Sequence, residues 1–194
     1  YYATEWDVAG WDRLHEFTGH AGGAVNAIEY TPDGAQILTG SRDGSIRRWD
    51  AQTGELLLRW VPHSATVYQM AVSPDGERVL SYGAEAGRGL VAESHIETGQ
   101  SALPYERHAA SVFDVVSLND GTVVSGSSDG TLRVWEPETG ESVRTITAAP
   151  LGISCLAKSP DSNGLVAVGC KDLAERTFPT LIADGADKSG IIRL

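Results

Sequence analysis

Residues 19–50 read GHAGGAVNAIEYTPDGAQILTGSRDGSIRRWD. Short apolar or alternating runs at 24–30, 35–40 and 45–49 are separated by Pro32-Asp33-Gly34 and Asp43-Gly44. Asp-Gly between such runs marks a β-hairpin, because its second residue readily takes a positive φ. A further run at 55–60 follows Thr53-Gly54, so the unit holds four short antiparallel strands.

The unit recurs. Trp6 to Trp49 and His20 to His63 are each 43 residues apart, and Trp49 to Trp135, Thr53 to Thr139 and Pro74 to Pro160 are each 86 apart. The segments 31–50, 73–94, 118–136 and 159–172 therefore stack as four versions of one pattern. Four strands per period of about 43 residues is the signature of a propeller blade. The expected fold is all-β: a β-propeller of four-stranded antiparallel blades, with units at about 8–50, 51–95, 96–136 and 137–194.

With Gly19-His20 opening a unit and Trp49-Asp50 closing it, the chain resembles the WD-repeat family over nearly its whole length. In that family a His, a Ser or Thr, an Asp and the Trp of each unit join in one hydrogen-bonded cluster. By residue type and spacing His20, Thr39, Asp43 and Trp49 match it, and His108, Ser125, Asp129 and Trp135 match it again. Buried indole, imidazole and hydroxyl groups are costly unpaired, so such a cluster stiffens a blade. The same residue types invite comparison with a catalytic triad, but a triad needs one exposed nucleophile beside a base, and a set recurring at a fixed period points to packing. Equivalent histidines in successive blades, His20, His63 and His108, also need not converge on a metal.

The other two units depart from the pattern. The second keeps His63 and Ser81 but has Glu85 for Asp, Ser94 for Trp and a longer turn at 86–89. The fourth has Ala148-Ala149-Pro150 for Gly-His and Val168 for the hydroxyl, and retains Asp172. Weaker local rigidity is expected in both. After Asp172 the third strand is delayed until Ile191, leaving an insertion at 173–189 that carries Phe178, Leu181 and Ile182 among charges. Long loops on a rigid scaffold often carry function, so these three residues are candidate partner-binding positions, beside the plainer reading of a tolerated surface loop. The family resemblance implies that this turn opens on the face carrying the Gly-His loops, a face partners use. Trp11 and Trp60 lie in or near outermost strands and either cover a blade edge or present a contact, with packing the favoured reading.

Both ends read as falling inside a third strand, Trp6-Asp7 at one and 190–194 at the other, so the chain is expected to be a sector of a larger ring of about seven blades, closed by further chain or by a second chain.

Fifteen Lys and Arg against 26 Asp and Glu give a net charge of −11, which disfavours a surface that tracks nucleic-acid phosphates. The sequence has no apolar run long enough to span a bilayer as a helix. Two cysteines, Cys155 and Cys170, are too few for a disulfide framework and suit an intracellular, cytoplasmic setting as free thiols. No catalytic residues, cofactor or metal are expected. The expected function is a non-enzymatic scaffold holding other proteins in a larger complex. Two alternatives stay open: a propeller like those of quinone-dependent dehydrogenases, faintly suggested by the repeat at 50–60, and a regulatory propeller attached to a catalytic domain elsewhere.

Overall fold

The computed structural model describes residues 1–85, 88–101, 108–136, 139–159, 164–170 and 191–193, and every element among them is a strand. The strands are β1 (Tyr2–Asp7), β2 (Asp12–Thr18), β3 (Val25–Tyr30), β4 (Gln36–Ser41), β5 (Ile46–Asp50), β6 (Leu56–Trp60), β7 (Val67–Val72) and β8 (Arg78–Glu85). They continue as β9 (Arg88–His95), β10 (Val112–Ser117), β11 (Val123–Ser127), β12 (Thr131–Trp135), β13 (Ser142–Thr147), β14 (Ile153–Lys158), β15 (Leu165–Cys170) and β16 (Ile191–Arg193). Each sheet is an antiparallel meander in chain order: β1-β2, β3-β4-β5-β6, β7-β8-β9, β10-β11-β12-β13 and β14-β15-β16. This is a β-propeller, and each meander is a blade or part of one.

The repeat extends to the irregularities. The innermost strand of every blade slips register at the same place, between Val25 and Ala27, Val67 and Gln69, Val112 and Asp114, and Ile153 and Cys155. A bulge adds local twist and re-aims a side chain, and here it falls at Asn26, Tyr68, Phe113 and Ser154, at one end of the blades.

Alternate residues of the strands face the neighbouring blade and form four apolar clusters, one at each junction. Gly40 and Gly126 allow the next innermost strand to approach closely, since a Cβ at either would lie 2.7 Å from Val67 or Ile153. In the second blade that station is Tyr82, whose ring fills the junction and whose hydroxyl donates to the Phe113 carbonyl. Further polar ties cross the junctions: Asn26 Nδ2 donates to the Val67 carbonyl at 2.9 Å, and the Leu156 amide donates to Asp114 Oδ2 at 2.7 Å. Lys158 Nζ donates to the Ser117 carbonyl at 2.8 Å. Blades are thus pinned to each other as well as packed.

The second blade differs from the sequence reading. Residues 88 and 89 do not belong to a longer turn: Glu85 pairs with Arg88 and Ala84 with Gly89, so the added residues lengthen both strands to eight. Ser81 and Ser94 are 13 positions apart against 10 for Thr39 and Trp49, and the hairpin takes up the three extra residues without moving side chains to the wrong face, because Val79 stands opposite Ser94 as Ile37 stands opposite Trp49. Of Trp11 and Trp60, Trp60 packs into the junction with the second blade, whereas Trp11 is 73% exposed in the β1–β2 turn, with φ of 58°. Packing therefore holds for Trp60 and not for Trp11. Cys155 is a free, exposed thiol.

Candidate functional site

Two of the blades carry one polar chain each, drawn from the loop before the innermost strand, the second strand, the turn after it and the third strand. In the first, Trp49 Nε1 donates to Thr39 Oγ1 at 2.9 Å, and that hydroxyl lies 2.8 Å from His20 Nε2. The other ring nitrogen, His20 Nδ1, lies 3.2 Å from Asp43 Oδ2. In the third blade Trp135 Nε1 donates to Ser125 Oγ at 2.8 Å, Ser125 Oγ lies 2.7 Å from His108 Nε2, and His108 Nδ1 lies 3.0 Å from Asp129 Oδ2. One assignment satisfies every donor: indole N–H to hydroxyl, hydroxyl to Nε2, and Nδ1–H to carboxylate.

The electrostatics agree with a neutral ring. Burial pushes both His20 and His108 below their ordinary value, outweighing the attraction of Asp43 and Asp129. For Asp43 burial acts upward, but the Ser45 hydroxyl and amide and the His20 ring prevail and hold the carboxyl at about 2. Asp129 is likewise lowered, against burial, by Thr131 and His108.

Each carboxylate also joins the loop before the innermost strand to the turn between the second and third strands. Asp43 Oδ2 accepts from the Ala21 amide at 3.1 Å, and Asp129 Oδ2 from the Ala109 amide at 3.0 Å. A fifth member was missed in the sequence. Ser45 Oγ and Thr131 Oγ1 each donate to the carboxylate two residues earlier at 2.6 Å, and their own amides do so at 2.9 Å. The signal was present as Asp43-Gly44-Ser45 and Asp129-Gly130-Thr131, a turn closed by a hydroxyl residue. Positive φ at Gly44 and Gly130 brings that hydroxyl back over the carboxylate.

In the second blade His63 Nε2 keeps its partner, Ser81 Oγ, at 2.9 Å, while Ser94 stands opposite Val79 in the station that Trp49 holds opposite Ile37. In the fourth, Ala149 and Val168 replace imidazole and hydroxyl together. Asp172 and the candidate positions Phe178, Leu181 and Ile182 lie outside the described residues.

The loops at this end of the blades touch in sequence around the ring. A Cβ on Gly44 would lie 2.3 Å from the His63 carbonyl, so the turn of the first blade rests on the entry loop of the second. The Gly89 amide donates to the Ala110 carbonyl at 3.0 Å, and the Ala148 amide to the Gly130 carbonyl at 2.9 Å. The result is one continuous loop face, at the end where the bulges lie. The turns holding Asp33, Asp75 and Asp120 lie at the other end.

The family model described as WD domain, G-beta repeat, matches residues 11–50 and 99–136, the two stretches that end on the complete polar chains. The chain belongs to the WD-repeat family. Among relatives of this WD-repeat chain, Autophagy-related protein 16 of Arabidopsis thaliana is 30% identical over 73% of this chain and 30% of its own length. Pre-mRNA-processing factor 17 of Homo sapiens is 30% identical over 68% of this chain and 23% of its own. Eukaryotic translation initiation factor 3 subunit I of Aspergillus fumigatus is 26% identical over 74% of this chain and 46% of its own. A solved structure of U3-55K superposes with a TM-score of 0.71 at 21% identity, over 78% of this chain and 47% of that one. The WD-repeat chain thus spans less than half the length of each of these proteins.

Proposed function

We propose that this chain serves as a protein-interaction scaffold, a WD-repeat subunit of a larger assembly that presents its loop face to protein partners and performs no chemistry of its own. The observation that carries the reading is how the polar groups are used. Thr39 and Ser125, the hydroxyls a catalytic reading would make nucleophiles, are fully buried, and each is bonded to an indole on one side and an imidazole on the other. A nucleophile must instead meet substrate beside a base and an oxyanion site. The groups that could act as acid or base are spent fixing loops, and fixed loops are what a binding face requires, because preorganised contact surfaces lose less entropy on association.

The relatives are named for autophagy, pre-mRNA processing and translation initiation, processes with no common reaction. A shared architecture serving such different ends favours recognition over catalysis. The net charge of −11 supports protein partners over nucleic acid. Affinity purification of the full-length protein, followed by size-exclusion chromatography, tests the reading: stoichiometric co-elution with at least one other protein supports it, and elution as a lone species under native salt overturns it.

A further inference from the structure

Arg47 on β5 stands directly opposite Arg59 on β6. Side chains directly opposite in an antiparallel pair share a face, and like charges so placed destabilise the sheet. The face is that of Trp49, whose ring centroid lies 6.0 Å from the Arg47 guanidinium carbon, and Phe17 of β2 packs on the same ring at 5.3 Å. Arg47 reaches toward the loop end of the blade, where Nη2 donates to the Gly19 carbonyl at 2.5 Å. Arg42, on the adjoining turn, lies over Gly23 and is exposed, as is Arg59.

The chain is rich in acids, yet among the described residues neither Arg47 nor Arg59 pairs with a carboxylate. Arg13, Arg48 and Arg78 do, with Glu16 at 2.7 Å, Glu97 at 2.5 Å and Glu93 at 3.0 Å. Asp43, whose charge reaches Arg47, has its oxygens committed to His20, Ser45 and the Ala21 amide. The repulsion is not a property of the fold. The corresponding pair in the third blade is Arg133 opposite Thr145, and in the second blade the residue opposite Ser81 is Ala92. Burial and the field of Arg59 together lower the Arg47 guanidinium's affinity for its proton, as crowded cations must.

We propose that Arg47 and Arg59, with the exposed Arg42 on the turn that leads into β5, form a carboxylate-recognition site on the loop face that takes an acidic segment of a protein partner. The inference rests on the protein-interaction reading and names the partner chemistry. Two guanidinium forks match carboxylates in geometry and charge, and a carboxylate seated between them removes the repulsion that the free blade carries. A short acidic segment needs only this local patch, whereas a nucleic-acid backbone must also pass over a surface whose net charge is −11.

The test uses full-length protein and a short fluorescein-labelled Asp/Glu-rich peptide, its Asn/Gln counterpart and a phosphoserine peptide, read by anisotropy at low salt. Among the described residues Arg59 has no ion pair or side-chain hydrogen bond to lose, so Arg59→Glu is expected to fold and to raise the Tm by about 1–4 °C by relieving the like-charge pair. The same variant is expected to weaken the acidic peptide by about tenfold, and Arg59→Gln by about threefold. Gain of stability together with loss of binding is what a merely structural arginine pair cannot give. Equal binding by wild type and Arg59→Glu overturns the site, as does equal uptake of the Asn/Gln peptide, or uptake of the phosphoserine peptide alone. If partners still co-elute with the full-length protein in any of those cases, the scaffold reading survives and only the site is lost.

Discussion

His20 explains how a polar residue can occupy the inside of a blade. Its ring is fully enclosed, takes one hydrogen bond and gives another, and is held neutral by its surroundings. Replacing Thr39 by Val strands the Trp49 indole and the His20 ring at once. A buried donor left unpaired costs about 1–3 kcal/mol, so urea unfolding of Thr39→Val is expected to show a loss of that size, against no measurable change if the chain is ornamental. The fourth blade makes the complementary point, since Ala149 and Val168 remove imidazole and hydroxyl together and leave neither stranded. The acid response follows from the same residues. His20 and His108 sit below the ordinary 6.5, so the folded state binds fewer protons than the unfolded chain as pH falls past that value. Their contribution is complete above 6.5 and is lost as pH drops toward the folded value, with a second loss below 3.8 as Asp43 protonates. Urea midpoints are expected to fall between about pH 7.5 and about pH 5, and a flat or rising trend contradicts neutral histidines.

At the scale of elements, the second blade shows what erosion of a repeat entails. Phe17 and Trp60 are one period apart, 43 residues, and occupy the same junction of successive blades. Phe17 packs on Trp49, Ile37 and Ala51; Trp60 packs into the cluster of Val79 and Ile96, where Ser94 stands for Trp49. The larger aromatic from the preceding blade, and Ile96 where the first blade has Ala51, occupy the volume the missing indole leaves. Restoring the motif with Ser94→Trp is therefore expected to destabilise the protein by about 1–3 kcal/mol through overpacking, read as a lower urea midpoint. A rise in stability shows that the space is empty. This compensation was hidden in the sequence because the two positions are in different units and meet only when blades stack. The hairpins were legible, because Asp-Gly turns and strand alternation are local properties. The expectation of a turn at 88 and 89 failed for a related reason: extra residues such as Arg88 and Gly89 look alike whether they lengthen a loop or a ladder.

For the whole molecule, the period of 43 residues was enough to give the blades and their order, since each unit cannot bury its apolar faces without a neighbour. The ties between blades were not legible. Tyr82 to Phe113, Asn26 to Val67 and Asp114 to Leu156 join residues about one period or less apart, and nothing in their local sequence marks them. The Arg47 and Arg59 pair likewise needed the register of β5 on β6. The candidate residues Phe178, Leu181 and Ile182 lie outside the described residues, so the loop face rests on the other blades. On the proposed function, the fixed loops bind protein. Hydrogen–deuterium exchange of the full-length protein, free and in its purified complex, measures this directly. Protection on binding is expected at residues 19–24, 42–45, 61–66 and 108–111 on the loop face, with 31–35, 73–77 and 118–122 at the opposite end unchanged. Protection confined to the opposite end, or none at either, contradicts the account.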